Sequence, residues 1–106
     1  HICKANDIKM VLSTFCRYSY EEIKDDPGFH KLYEGISREN VIMSELAEKY
    51  SLPLVDSNNL IPREEKYFLD YIHFSPLGME ILAQHISVPI IHHISQLEEY
   101  SNLQSP

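Results

Sequence analysis

The order of the apolar segments is the feature that most restricts the fold of this chain. Residues 8–15 form a run rich in large and β-branched side chains, which is typical of a strand covered on both faces of a parallel sheet. Residues 31–51 then carry apolar side chains at helical spacing, and the short run 52–56 predicts a second strand that ends on Asp56. Strand, helix and strand in this order form the βαβ unit of α/β proteins with parallel strands.

Size and composition indicate a single domain over residues 1–106. The chain is 43% hydrophobic, contains three glycines and carries a net charge of −7, so nucleic acid and anionic membrane surfaces are poor partners. No apolar run approaches the roughly 20 residues needed to span a bilayer. Two buried parallel strands do not make a stable sheet alone, and the chain opens on His1. We therefore expect a missing amino-terminal segment, or self-association, to complete the sheet.

Start and stop signals divide the rest of the chain. The string Asp25-Asp26-Pro27-Gly28 predicts a turn within a long polar connection, residues 17–30, of the kind that often borders a site. Ser75 is a predicted helix cap with Pro76 at the first helical position. Pro89 is predicted to break or kink that helix, with a further helix over residues 90–100.

Asp70 and His73 are the candidate catalytic residues. A serine hydroxyl becomes a good nucleophile only when a base removes its proton, and histidine suits this role because its ordinary pKa lies near neutrality. A carboxylate three residues away in a tight loop can accept a hydrogen bond from the other ring nitrogen and stabilise the imidazolium. The pair therefore has the chemistry of two members of a serine-hydrolase triad.

The segment Asp70-Tyr-Ile-His73, followed by Phe-Ser-Pro-Leu-Gly78 and Met-Glu-Ile-Leu-Ala83, resembles the last sequence block of the SGNH (GDSL-type) hydrolases. The preceding helix and strands also resemble that family, from about residue 8 to residue 86. The resemblance implies a flavodoxin-like, three-layer α/β/α parent fold and hydrolysis of an ester without metal or organic cofactor. It assigns roles only to Asp70 and His73.

The family's nucleophile lies in a Gly-Asp-Ser block, and no such tripeptide occurs in this sequence. Asn6-Asp7 looks like the end of the family's Gly-x-Asn-Asp block, but the predicted strand begins at Ile8 with no helix between. The resemblance therefore covers only the carboxyl-terminal part of such a domain. We expect the chain alone to be inactive.

Other interpretations of the same residues stay open. Asp70 could cap its loop or the helix of Ser75, with His73 as an ordinary surface residue. His73 could instead bind a metal together with Asp56, Asp70 or His85. The alternative function from another class is a non-catalytic α/β interaction or assembly module in which the pair is structural.

Three smaller expectations concern side chains outside the pair. The two cysteines, Cys3 and Cys16, are expected to be buried thiols rather than a disulfide. Four aromatic residues are expected to pack under a loop rather than wall a cleft, and five serines lack any strained turn that would mark a nucleophile. The aromatic residues are Tyr18, Tyr20, Phe29 and Tyr33, and the serines are Ser13, Ser19, Ser37, Ser44 and Ser57.

Overall fold

The computed structural model of the chain describes residues 2–18 and 25–104, in which helices predominate. The elements are α1 (Ile2–Ala5), β1 (Leu12–Ser13), α2 (Pro27–Tyr50), β2 (Leu54–Val55), α3 (Ser57–Leu60), a 3₁₀ turn (Glu65–Tyr67) and α4 (Pro76–Gln104). No helix within this described part is long and apolar enough to cross a membrane.

The two strands pair in parallel, with α2 as the crossover between them. Leu12 lies opposite Leu54, and Ser13 lies opposite Val55, which confirms the expected βαβ order and strand direction. The first strand is much shorter than the predicted 8–15. At Phe15 the side-chain amide of Asn40 replaces a strand partner, because Oδ1 accepts from the backbone N–H at 2.7 Å and Nδ2 donates to the carbonyl at 2.8 Å.

The layers are confirmed only in part. Helix α2 packs against both strands, whereas α4 packs mainly against the 3₁₀ turn and α3. The described residues therefore show an α/β arrangement with parallel strands but not all three layers of the expected α/β/α fold.

One cluster of the core lies at the base of the loop that follows the 3₁₀ turn. Cys16, Ile61 and Phe68 are buried together, and Ile81 and Leu82 of α4 pack against them. Both cysteines are free thiols, as expected, but only Cys16 is buried.

Both long helices begin at an acceptor side chain followed by proline. The sequence predicts one of these two helix caps. Ser75 accepts a hydrogen bond from the N–H of Gly78 at 3.1 Å, which confirms it as the cap of α4. The turn predicted at residues 25–28 is confirmed at Asp25 but is wrong from Pro27 onward. Asp26 caps α2 by accepting from the N–H groups of Gly28 and Phe29, so the helix begins at Pro27.

Pro89 is predicted to break or kink the helix, and the break is wrong, because α4 continues through this residue to Gln104. The kink stays a prediction, since proline lacks the N–H for one helical hydrogen bond and its ring crowds the carbonyl of the preceding turn. One side of α4 faces the core. Ile81 and Leu82 pack on the core, whereas Met79 is exposed.

We expect Gly78→Ala to destabilise the protein by roughly 1–3 kcal/mol, as other overpacked sites do. Gly78 is buried, and a Cβ there would overlap the backbone carbonyl oxygen of Tyr67. Urea denaturation followed by circular dichroism measures the effect.

Gly35→Ala is the matched control, because a Cβ at this helical glycine of α2 would meet no atom within 4 Å. It should raise the free energy of unfolding by roughly 0.5–1 kcal/mol, the ordinary advantage of alanine in a helix. Equal effects of the two substitutions would contradict the close approach at Gly78.

Candidate active site

The candidate pair lies in a short loop that is closed at its base. Phe68 and Phe74 form an antiparallel bridge, and the N–H of Leu69 donates to the carbonyl of His73 at 2.8 Å. The loop therefore begins and ends at neighbouring backbone positions. This closure brings Asp70 and His73 to the same side of one turn.

The carboxylate of Asp70 organises the loop from within. Its Oδ1 accepts from the backbone N–H of Ile72 at 2.9 Å and from that of His73 at 2.8 Å. Nδ1 of His73 lies 2.7 Å from Oδ2 and 3.0 Å from Oδ1. Because an ionised carboxylate only accepts, Nδ1 carries the proton in this contact and Nε2 keeps a free lone pair when the ring is neutral.

These contacts hold the pKa of the Asp70 carboxyl below its ordinary value. The largest cause is the hydrogen bond from the N–H of Ile72, followed by those from the His73 ring and the His73 backbone. All three donors stabilise the ionised form, so the carboxylate persists at a lower pH than a free aspartate would.

His73 remains accessible to a third group. The side chains of His73 and Asp70 are 67% and 53% exposed, and within the described residues Nε2 makes no hydrogen bond. The loop-capping interpretation is thus correct for Asp70, while the helix is capped by Ser75 instead. The Asp70 carboxylate therefore caps its loop and pairs with His73 at the same time.

Ser75 ties the base of the loop to the rest of the domain. Its hydroxyl donates to the carbonyl of Lys66 at 2.6 Å, and its N–H donates to the carbonyl of Tyr67 at 3.0 Å. The same residue therefore starts α4 and fixes the segment that enters the loop.

Aromatic contacts hold the loop from outside. The Tyr18 ring stacks on Phe68 with centroids 5.1 Å apart, and its N–H donates to the carbonyl of Tyr71 at 2.8 Å. Phe29 meets the Tyr71 ring edge-on at 5.0 Å. The expected aromatic packing is confirmed for these residues, and the contribution of Tyr71 was not foreseen.

Tyr33 and Tyr20 are the other two aromatic residues that were expected to pack under a loop. The guanidinium of Arg17 covers the Tyr33 ring, 3.7 Å from its centroid, so this ring also packs rather than walls a cleft. Tyr20 lies outside the described residues.

The residues proposed as additional metal ligands lie on other elements. Asp56 accepts from the Thr14 hydroxyl at 2.9 Å and from the Asn59 amide at 2.7 Å, while His85 lies on α4. In residues 2–18 and 25–104, no group of three or more His, Cys, Asp or Glu side chains is arranged to hold a metal ion.

The candidate serines that the structure describes hydrogen-bond to other groups. The hydroxyls of Ser13 and Ser57 lie 2.8 Å apart, and those of Ser37 and Ser44 donate to helical carbonyls. Ser19 lies outside the described residues. Within the described chain, no serine hydroxyl hydrogen-bonds to His73.

A polar cleft of about 390 Å³ opens beside α2, at a different place from the pair. Its lining includes Thr14, Arg17, Asn40, Asp56 and Asn58 but neither Asp70 nor His73. The candidate pair is therefore on an open surface rather than within this cleft.

The sequence matches no protein-family model and no curated protein. Its structure is similar to that of a GDSL-like lipase from Bacteroides thetaiotaomicron, with a TM-score of 0.66 and 24% identity. The match covers 87% of this chain and 47% of the lipase, so the chain spans about half the length of that protein.

At this level of identity the likeness establishes the fold. The chain is an α/β protein with the fold of part of a GDSL-like lipase. The resemblance to the SGNH (GDSL-type) hydrolases is thereby confirmed at the level of the fold.

We expect removal of the imidazole by His73→Ala to raise the pKa of Asp70, measured by ¹³C NMR of the carboxyl carbon. The N–H of Ile72, the largest cause of the lowered pKa, remains. The pKa should therefore rise only part of the way to its ordinary value. A pKa unchanged by the substitution would contradict the imidazole–carboxylate hydrogen bond.

Because folding lowers the pKa of Asp70, its contribution to stability is present above the pKa of the unfolded state. This contribution is lost as the pH falls through the lowered pKa of the folded state. Asp70→Asn is the control, since it should flatten this acid limb in pH-dependent urea titrations.

Proposed function

We propose that this chain is the carboxyl-terminal part of an SGNH-type serine ester hydrolase and carries the Asp–His part of its triad. The observation that carries the proposal is the contact of Nδ1 of His73 with Asp70 at 2.7 Å, on an accessible surface. The fold shared with part of a GDSL-like lipase supports the same class of enzyme.

In the proposed reaction, Nε2 of His73 removes the proton from a serine hydroxyl as its oxygen attacks the ester carbonyl. The resulting imidazolium is stabilised by Asp70, then returns the proton to the leaving alcohol. A water molecule attacks the acyl-enzyme by the same route and releases the acid. Each proton that His73 takes up is returned within the cycle.

The nucleophile and the oxyanion hole are proposed to come from a segment outside these 106 residues. This segment also supplies the strands that complete a three-layer α/β/α fold. The substrate class is a small-molecule ester with a short acyl group, such as an acetylated sugar. The proposed chemistry uses no metal and no organic cofactor, because a hydroxyl, an imidazole and a carboxylate suffice.

We expect p-nitrophenyl acetate to be hydrolysed no faster with the 106-residue chain alone than in buffer that contains free imidazole. The complete protein, with an upstream segment bearing Gly-Asp-Ser, should turn over this ester and react with a fluorophosphonate probe. His73→Ala should lower its kcat by about 10²–10⁴-fold, the usual contribution of a general base.

His85→Ala is the matched control in the complete protein, because it removes an imidazole from α4 rather than from the loop. It should retain most of the activity. Equal turnover with and without the His73 imidazole would exclude the proposed role.

A second candidate function is a non-catalytic module that assembles through α4. The specific observation is a set of large apolar side chains exposed along the second half of this helix. These residues are Ile90, Ile91, Ile94 and Leu97.

For such a module we expect dimers or larger species in native mass spectrometry at micromolar concentration. Ile94→Asp should shift the population to monomers, whereas His92→Asp, at an exposed polar position of the same helix, should not. Monomers in the unsubstituted protein, together with fluorophosphonate labelling of the complete protein, would exclude this second candidate.

A further inference from the structure

We propose that the ring contact between Phe29 and Tyr71 positions the Asp70–His73 pair. The start of helix α2 then sets the orientation of the imidazole. This inference rests on the proposed function and extends it, because it assigns a positioning role to two aromatic residues outside the pair.

Tyr71 lies between the two candidate catalytic residues and is held from two directions. Its carbonyl accepts from the N–H of Tyr18 at 2.8 Å, and its ring meets Phe29 edge-on, with centroids 5.0 Å apart and an interplanar angle of 72°. Tyr18 follows β1, and Phe29 lies in the first turn of α2. Through Tyr71, the loop is thus joined both to the segment that follows β1 and to the start of α2.

The hydrogen bonds of Asp70 close the loop on itself but do not join it to the rest of the fold. The donors are the backbones of Ile72 and His73 and the ring of His73, all within an exposed loop where water competes for them, so the pairing depends on the loop keeping its conformation. The side chains of the pair are more than half exposed, and packing does not fix them. The two contacts of Tyr71 join this part of the loop to Tyr18 and to Phe29 of α2.

Phe29 is well placed to act as a fixed support. Its backbone N–H donates to Oδ1 of Asp26 at 3.3 Å, and the same oxygen accepts from Gly28 at 3.0 Å. The helix cap therefore fixes the backbone that carries the Phe29 ring. A continuous series of contacts runs from Asp26 through Phe29 and Tyr71 to the pair.

The tautomer of the His73 ring reports this positioning independently of activity. A neutral imidazole in water carries its proton mainly on Nε2, whereas donation to Asp70 places it on Nδ1. Long-range ¹H–¹⁵N correlation spectra measure this distribution in the 106-residue chain. The pKa of the Asp70 carboxyl, measured by ¹³C NMR, is the second readout, because its lowering depends partly on the imidazole.

We expect Phe29→Ala to raise the ratio of the Nε2–H to the Nδ1–H tautomer by about two- to tenfold, the equilibrium equivalent of one lost aromatic pair. The pKa of Asp70 should rise toward its ordinary value at the same time. Tyr71→Ala should have the same two effects, and it keeps the backbone bond to Tyr18.

Two variants separate positioning from general loss of apolar surface. Phe29→Tyr keeps the ring and should behave as the unsubstituted protein. Leu32→Ala truncates an apolar side chain one turn further along α2, with 41% exposure against 36% for Phe29. It should leave the tautomer and the Asp70 pKa unchanged.

The possible results distinguish this inference from the proposed function. If Phe29→Ala and Tyr71→Ala both fold, as far-UV circular dichroism would show, and both keep the original tautomer and Asp70 pKa, the positioning role is excluded and the proposed function stands. If the unsubstituted chain itself carries the proton on Nε2, both ideas fail. Altered readouts in Leu32→Ala would also overturn the positioning role.

Discussion

The carboxylate of Asp70 receives two backbone N–H groups and one imidazole N–H, all from residues that follow it within three positions. This convergence decides three properties of the candidate site. It shapes the loop, lowers the pKa of Asp70 and keeps the proton of His73 on Nδ1. The accepting lone pair of Nε2 is a consequence of the same contacts, so the structure of the loop and the tautomer of its imidazole have one origin.

The loop is supported by the packing of its base. Phe68 and Phe74 pair through the backbone and pack their rings 5.4 Å apart, above a core that contains Cys16 and Ile61. Gly78 lets α4 approach the backbone of Tyr67 more closely than any other residue could. The packed core thus supports the loop of Asp70 and His73 through a few backbone contacts, although the side chains of the pair are exposed to solvent.

The range of each interaction decides how well the sequence predicts it. The contact of Asp70 with His73 could be predicted because it spans three residues, and the cap at Ser75 because a cap bonds within one turn. The similar cap at Asp26 has the sequence pattern of a turn, since Pro27 and Gly28 are common in both settings. The contact between Phe29 and Tyr71 joins residues 42 positions apart, and no local sequence pattern predicts it.

The same dependence on range explains why this chain can hold one part of the proposed site and lack another. An imidazole and its carboxylate are brought together by a single closed loop, and a nearby aromatic contact suffices to orient them. A nucleophile and an oxyanion hole instead need further backbone placed opposite Nε2. The chain spans 47% of the lipase whose fold it shares. In the proposed hydrolase, this chain therefore organises the base by itself, and the completed sheet places the nucleophile beside it.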